Sequence, residues 1–148
     1  MLSKLVKIGL SIMIGASVAY GSTINDVEPF VEKAYKLCKE KGNEACFKEF
    51  NNPNGGFIKD DLYIFAYDFN GKLLALGSNP QIVGRNLLKI RDKNGAYIIK
   101  DLIKIAQSKG EGWYDYKWSH PQTKKVRPKT SFIKKIDNDM FIGSGIYK

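Results

Sequence analysis

The chain has 148 residues, a net charge of +9 at pH 7, one histidine and two cysteines. A chain of this length predicts one domain. With so few histidines and cysteines, the sequence offers no obvious His-based metal site, no His-containing triad, no paired-cysteine zinc site and no CxxCH haem motif. We therefore expect no enzyme activity, no metal and no cofactor.

The first 21 residues have the pattern of a secretory signal peptide. Lys4 and Lys7 form a positive n-region, an apolar run of 13 residues follows, and residues 19–21 (AYG) have the form of a cleavage site. An uncleaved anchor or a buried helix is the alternative, although the apolar run is shorter than the roughly 20 residues that span a bilayer. We predict cleavage before Ser22, which leaves a soluble periplasmic domain at residues 22–148 with no transmembrane segment.

Lys4 and Lys7 account for two of the nine net positive charges, so the mature domain carries about +7. Its basic residues are scattered, apart from a mild cluster at Lys124, Lys125 and Arg127. An exported protein rarely meets nucleic acid, so we expect no nucleic-acid partner. The charge should instead attract small anions or anionic surfaces.

An amphipathic helix is predicted from Asn25 to Lys41, because its apolar residues recur at steps of three and four. Gly42 ends this helix, and a second short helix follows from Asn43 to Phe50. Cys38 and Cys46 lie at inward positions of the two helices. In an oxidising compartment they could form a disulfide, and the alternative is a pair of buried free thiols.

The rest of the chain is predicted to be mostly antiparallel strands joined by short turns. Asn70-Gly71 is the strongest hairpin signal, and a long irregular loop precedes one further helix at about residues 96–108. The first helix must cover one face of the sheet, while the loop and the later helix must cover the other. This pattern predicts an α+β fold with an antiparallel sheet of about five strands, at residues 62–69, 72–76, 113–118, 126–136 and 140–146.

The aromatic strand carries the most informative pattern. Alternate residues of a strand share a face, so Tyr114, Tyr116 and Trp118 point to one side of the sheet. On the following strand, Lys129 shares a face with Ser131. If the two strands pair, the aromatic rings, the ammonium and a hydroxyl surround a site that suits a small carboxylate. The alternative is a solvated Lys129 beside ordinary core aromatics.

The single histidine, His120, precedes Pro121 at a strand end. This position predicts a surface turn residue. Asp68 and Asp92 each lie two residues before an Asn-Gly pair, which predicts that their side chains form turns.

Longer segments of the chain resemble a known family. The stretch from Lys33 to Gly95 is followed by SKGEGWYDYKW, PKTSF and FIGSGIY, over nearly the whole mature chain. This combination resembles the single Cache domain family, type 2, whose members are extracytoplasmic sensing domains of bacterial chemoreceptors and histidine kinases. The resemblance implies a PAS-like antiparallel sheet with a long N-terminal helix. It also implies a pocket for a small organic acid between the sheet and the loop–helix segment.

By the same motifs, the resemblance places Tyr116 and Trp118 of DYKW, Lys129 of PKTSF and Arg85 of VGRN in the pocket. Ser131 joins the predicted ligand-binding residues because it shares a face with Lys129. No single motif is specific, but their order and spacing are.

Two positions depart from the family pattern. Leu76-Gly77 stands where many relatives have His-Pro, and Phe132 stands where many have Tyr. Leu76 is therefore included among the predicted ligand-binding residues, as an apolar end of the pocket, and the ligand is expected to differ or binding to be lost. The chain ends at Tyr147-Lys148, where sensor relatives continue into a membrane helix, so we expect a membrane receptor or kinase partner to carry the signal.

The sequence thus predicts a periplasmic Cache domain that binds a small carboxylate, such as acetate, propionate, pyruvate or lactate, without chemistry. One alternative is a protein-interaction module of an exported assembly, with a pocket filled by its own side chains. Another is an accessory or carrier for electron-transfer machinery, which would need a cofactor motif that the sequence does not show.

Overall fold

The computed structural model describes residues 21–148. The predicted signal peptide therefore lies, except for Gly21, outside the described residues. Within the described part of the chain, no helix is long and apolar enough to cross a membrane.

Two helices open the described chain, α1 at Ile24–Lys41 and α2 at Asn43–Asn51. Thr23 is the N-cap of α1 and forms a capping box with Asp26, whose carboxylate accepts the backbone N–H of Thr23 at 2.7 Å. This hydrogen bond holds the pKa of Asp26 below its usual value. Gly42 separates the helices with a φ of 86°, a conformation that glycine adopts without strain.

The remaining strands form a five-stranded antiparallel sheet and a small two-stranded one, and one helix lies between the early and the late strands in the chain. A short 3₁₀ turn at Pro80–Ile82 and helix α3 at Ile98–Lys109 separate the early strands from the late ones. The strands are β1 (Ile58–Lys59), β2 (Leu62–Tyr63), β3 (Phe65–Asp68), β4 (Leu73–Leu76), β5 (Glu111–Ser119), β6 (Val126–Lys135) and β7 (Met140–Tyr147).

The main sheet has five strands in the order β4-β3-β7-β6-β5, and every neighbouring pair is antiparallel. Helices α1 and α2 cover one face, and α3 with the preceding loop covers the other. We call these the α1 face and the α3 face. The α+β fold, with its PAS-like sheet, N-terminal helix and loop–helix cover, is thus confirmed.

The sequence predicted one strand over residues 62–69, but the structure divides this stretch at Ile64. Residues 62–63 pair instead with β1 in a small separate sheet. The turn between β1 and β2 contains Asp60 with a φ of 57°, a left-handed conformation that is uncommon outside glycine. The Ser144 hydroxyl donates a hydrogen bond to the Tyr63 carbonyl oxygen at 2.6 Å, which anchors β2 against the main sheet.

Candidate ligand-binding site

Lys129 lies in the middle of β6, on the α3 face of the sheet. Its register partners are Tyr116 on β5 and Tyr147 on β7, so it has a tyrosine on each side. Directly opposed residues of an antiparallel pair have neighbouring side chains. The lysine is only 1% exposed, which is rare for this residue type.

The Lys129 ammonium is surrounded by aromatic rings. Such rings attract a cation through their negative faces, and the attraction strengthens when water is excluded. The distances from Nζ to the ring centres are 4.2 Å for Tyr63, 5.0 Å for Tyr147, 5.4 Å for Phe65 and 6.0 Å for Tyr116.

A chain of hydrogen bonds leads from the ammonium to the backbone. Lys129 Nζ donates to the Tyr63 hydroxyl at 2.8 Å. The Tyr63 and Tyr147 hydroxyls are 3.0 Å apart, and Tyr147 donates to the Ser119 carbonyl oxygen at 2.8 Å. Because Tyr147 uses its proton on Ser119, Tyr63 is the donor between the two tyrosines. Each of the two tyrosine hydroxyls therefore accepts one hydrogen bond and donates one.

Three tyrosines near Lys129 have a pKa raised by burial. Burial, reinforced by the neighbouring Tyr63, raises the pKa of Tyr116 and Tyr147 well above its usual value. Burial does the same to the pKa of Tyr67. These groups therefore supply no negative charge at physiological pH, and among residues 21–148 no carboxylate forms an ion pair with Lys129.

Glycine on β7 makes room for one wall of the site. Gly143 pairs with Phe65 across the strands. A Cβ atom at this position would lie 2.5 Å from the Phe65 ring and 2.8 Å from Ile133. Since these contacts are far below van der Waals distance, a side chain here would displace Phe65 from the site.

The side chains around Lys129 enclose a cavity of about 10 Å³, which we call the Lys129 cavity. This is about the space that one water molecule needs. A carboxylate with several heavy atoms can enter only if part of the wall moves. The lining residues are Tyr63, Phe65, Tyr67, Leu76, Ile99, Leu102, Tyr116, Trp118 and Lys129.

The chain is similar to proteins of a known family. A family model described as Cache domain matches residues 22–148. The chain belongs to the Cache domain family. Cache domains are extracytoplasmic sensor domains of chemotaxis receptors and sensor kinases.

Three relatives illustrate the range of this Cache domain's neighbours. The sensor histidine kinase MctS of Rhizobium johnstonii is 33% identical over 59% of the chain, and that match spans 19% of the kinase. The structure of a methyl-accepting chemotaxis protein from Vibrio parahaemolyticus has a TM-score of 0.72 and 23% identity, covering 83% of this chain and 86% of that one. A Cache chemosensory domain, solved for the structural basis of carboxylic acid recognition, has a TM-score of 0.65 and 21% identity over 81% and 84% of the two chains.

The structure of the Cache domain brings most of the residues predicted for ligand binding together. Lys129, Tyr116, Trp118 and Leu76 all line the Lys129 cavity. Ser131 is fully buried beside them, and its Oγ lies 2.9 Å from the Tyr116 hydroxyl.

Arg85 is not brought to the cavity. Its side chain is exposed and is not part of the cavity lining. Its backbone carbonyl accepts the N–H of Leu73 at 2.9 Å, which ties the loop to β4. A role for the Arg85 guanidinium in binding stays a prediction.

The prediction for His120 was wrong. The residue is not a surface turn residue but is 6% exposed, with its ring 4.7 Å from the Tyr147 ring. Its Nδ1 accepts the backbone N–H of Gln122 at 3.2 Å, so it also shapes the turn after β5. Its Nε2 lies 3.9 Å from the Asp61 carboxylate. The histidine thus packs behind the hydrogen-bond chain of Lys129.

The departure at Phe132 does not change the cavity. Phe132 lies on the α1 face, where its ring packs 5.4 Å from Trp113. It lies three positions after Lys129 on β6, an odd offset, so the two side chains point to opposite faces. Of the two departures from the family pattern, only Leu76 lines the site.

Sequence reasoning missed five lining residues, which are Tyr63, Phe65, Tyr67, Ile99 and Leu102, and it also missed Tyr147 beside Lys129. A signal for the first three was present. Tyr63, Phe65 and Tyr67 alternate along the chain and therefore share a face, as the aromatic strand does. Tyr147 gave no comparable signal, because its role depends on β7 lying next to β6.

Proposed function

We propose that this Cache domain is an exported sensor that binds a small organic carboxylate in the Lys129 cavity without catalysis. The ligand belongs to the acetate, propionate, pyruvate or lactate class. The information passes to a membrane receptor or kinase partner. The observation that carries the proposal is the buried Lys129 ammonium, which has no carboxylate partner among the described residues.

A buried charge without a counter-ion is costly, because the low-dielectric interior replaces its hydration poorly. The aromatic rings and the Tyr63 hydroxyl offset part of this cost. An ammonium has three donors, and within residues 21–148 only the bond to Tyr63 uses one of them. A ligand carboxylate would accept the remaining donors and neutralise the charge.

The position of Leu76 suggests which acid is preferred. This side chain and those of Ile99 and Leu102 give the cavity an apolar wall. A methyl or ethyl group gains from such a wall, whereas the hydroxyl of lactate would be desolvated without a partner. Acetate and propionate should therefore bind more tightly than lactate.

The family relationships support the proposal of a carboxylate sensor. The relatives include a sensor histidine kinase and a methyl-accepting chemotaxis protein, and one structural neighbour is a Cache domain studied for carboxylic acid recognition. That neighbour shares the fold of this chain, and the choice of acid here is argued from Lys129 and Leu76.

Two measurements test the proposal. Native mass spectrometry of the purified protein should show a co-purified mass of a small acid. Calorimetric titration with acetate, propionate, pyruvate and lactate should then give binding for at least one of them. Absence of binding by every member of the panel would overturn the proposal.

Substitution Leu76→His should restore a hydrogen-bond donor at the apolar end and shift the preference toward pyruvate or lactate. The matched control is Leu73→His, a leucine of the same strand that does not line the cavity. An unchanged order of affinities in Leu76→His would remove Leu76 from the site. Urea denaturation of both variants shows whether they remain folded.

Export is tested separately. N-terminal sequencing of the protein from the secreted or periplasmic fraction should begin at Ser22. An intact Met1 end recovered with membranes would contradict a soluble exported form.

One observation favours a second function. The Lys129 cavity measures only about 10 Å³, as expected if the pocket is filled by its own side chains. The chain would then be a protein-interaction module of an exported assembly. A native mass that equals the polypeptide alone, together with no binding to the acid panel, would support this second function.

A further inference from the structure

The Trp118 side chain lies between the Lys129 cavity and a groove on the protein surface. Its indole lines the Lys129 cavity and also lines an exterior groove of about 370 Å³ between the segment before α3 and the β5–β6 turn. Ile98, at the start of α3, and Val126, which is 65% exposed, form apolar parts of the same groove. The groove therefore reaches from solvent to the outer side of the cavity wall.

The groove carries a net positive charge. Arg91, Lys93 and Lys117 line it and are exposed, and Asp92 is the one carboxylate among its lining residues. The Asp92 carboxylate is already occupied by turn formation, since Oδ1 accepts the Ala96 N–H at 2.9 Å. A cleft with charges of one sign raises the local concentration of the opposite ion and its association rate.

The other cavity walls are held more firmly than Trp118. Tyr116 and Lys129 are opposed within the long β5–β6 ladder, and the Tyr116 hydroxyl is engaged by Ser131. Tyr63 is fixed through both its hydroxyl and its carbonyl.

By contrast, Trp118 lies near the end of β5, which is an edge strand. Within residues 21–148 no hydrogen bond holds its indole, and its nearest aromatic partner is the Tyr116 ring, with the centres 6.1 Å apart. The indole is also only partly buried. Turning it outward breaks no hydrogen bond and enlarges the cavity toward the groove.

We propose that this cationic groove is the entrance to the Lys129 cavity for a small carboxylate, and that the Trp118 indole is its gate. The anion is collected at Lys93 and Lys117, the indole turns aside, and the carboxylate passes inward to Lys129. The inference rests on the proposed function, and it explains how a cavity of about 10 Å³ admits a larger molecule.

The charge is tested with the double substitution Lys93→Gln and Lys117→Gln. Arg91 is left in place because its guanidinium packs on the Tyr97 ring, 4.4 Å from its centre. The control removes the same charge from the other side of the molecule with Lys41→Gln and Lys48→Gln, which are exposed on α1 and α2.

Rates are measured from the exchange broadening of the methyl proton resonances of acetate and propionate, which needs no reporter group in the protein. At low ionic strength, the groove variant should lower the association rate about threefold to tenfold and leave the dissociation rate unchanged. This difference in association rate should vanish in 0.5 M salt, because the screening length falls to roughly 4 Å. The control variant should match the wild type.

The gate is tested with Trp118→Ala. Removing the indole should raise the association and dissociation rates together, and Trp113→Ala on the opposite face of β5 serves as the control. Wild-type rates in Trp118→Ala, or in the groove variant at low salt, would overturn the entrance while the proposed function stands. No broadening with the wild-type protein, together with no calorimetric binding of any acid in the panel, would instead overturn the proposed function, and the entrance with it.

Discussion

The two faces of the sheet are built from different kinds of residue. The core on the α1 face is apolar apart from the hydroxyls of Thr130 and Ser144, and it includes the joined pair Cys38 and Cys46. The core on the α3 face contains Tyr63 and Tyr67 and surrounds the buried Lys129. Both faces contain fully buried side chains, so the difference lies in chemistry and not in burial.

This difference indicates that one face contributes mainly to stability and the other mainly to binding. Apolar packing on the α1 face stabilises the fold without specific partners, since the hydrophobic effect is not directional. Polar groups on the α3 face contribute little net stability, because burial costs nearly as much as their hydrogen bonds return. Substitutions on the α1 face should therefore change unfolding, and those on the α3 face should change binding.

The largest effect is expected from Phe50→Ala on the α1 face. Phe50 is fully buried and packs edge-to-face on Phe57, with ring centres 5.0 Å apart. The cavity left behind should lower the free energy of unfolding by about 3–5 kcal/mol, as measured by urea denaturation. Acid affinity, titrated below the melting temperature, should stay at the wild-type value.

The control for this variant is Val126→Ala, which removes an apolar side chain that is 65% exposed and should cost less than about 0.5 kcal/mol. If Phe50→Ala weakened acid binding in the folded protein, the two faces would not be separate.

The next effect concerns the disulfide on the α1 face. The structure joins Cys38 and Cys46, with Cα atoms 5.0 Å apart. Replacing both by Ala should lower the free energy of unfolding by about 2–3 kcal/mol, because the closed loop restricts the unfolded chain. Affinity for the acid should not change.

The bridge itself is checked by intact mass after alkylation of the unfolded protein without reductant. No added label is expected. Two added labels would show that the cysteines are free in the isolated protein, and the stability difference should then be absent.

On the α3 face, Lys129→Met should weaken carboxylate binding about 10- to 150-fold, which corresponds to the roughly 1.5–3 kcal/mol of a charge-assisted hydrogen bond. The free energy of unfolding of the ligand-free protein should stay the same or rise, because the desolvated charge is removed. Calorimetric titration and urea denaturation measure the two quantities.

Lys134→Met is a matched control, since it lies on the same strand but pairs with Glu32 of α1 at 2.5 Å. It should leave the affinity unchanged. Equal affinity of the wild type and Lys129→Met would remove the ammonium from the site and return the aromatic strand to ordinary core.

The smallest effect is expected from Tyr116→Phe, which deletes one neutral hydroxyl at the cavity. Loss of about 0.5–1.5 kcal/mol should weaken binding about two- to twelvefold. Tyr114→Phe is the control, because that hydroxyl donates to the Asp101 carboxylate at 2.5 Å and does not line the cavity. Equal losses in both variants would mean that the hydroxyl acts only through packing of β5.

Much of this fold was predictable because its signals are local. Residues 25–41 and 43–50 were predicted as helices, and the structure extends each by one residue. The five main strands follow alternation and Asn-Gly turns in the same way. The pair β1 and β2 was missed, because strands of two residues have no periodicity and the Asp60 turn gives no sequence signal.

The site was predictable only in part, since its members come from distant parts of the chain. Alternation placed Lys129 beside Tyr116, and the structure has them directly opposed. The contact of Lys129 with Tyr63 spans 66 residues and depends on the order of strands. His120 is buried for the same reason, as its partner Tyr147 arrives on a later strand.

The central position of β7 bears on how the protein is made. β7 joins the β3–β4 pair to the β5–β6 pair, yet it is the last of these strands in sequence. A chain that emerges from its N terminus therefore carries two separate hairpins, each with an unpaired inner edge, until residues 140–147 appear. Such edges are prone to pair with other chains. The walls of the Lys129 cavity belong to both hairpins, so the cavity is complete only when residues 140–147 join them, and the ligand cannot stabilise a shorter chain.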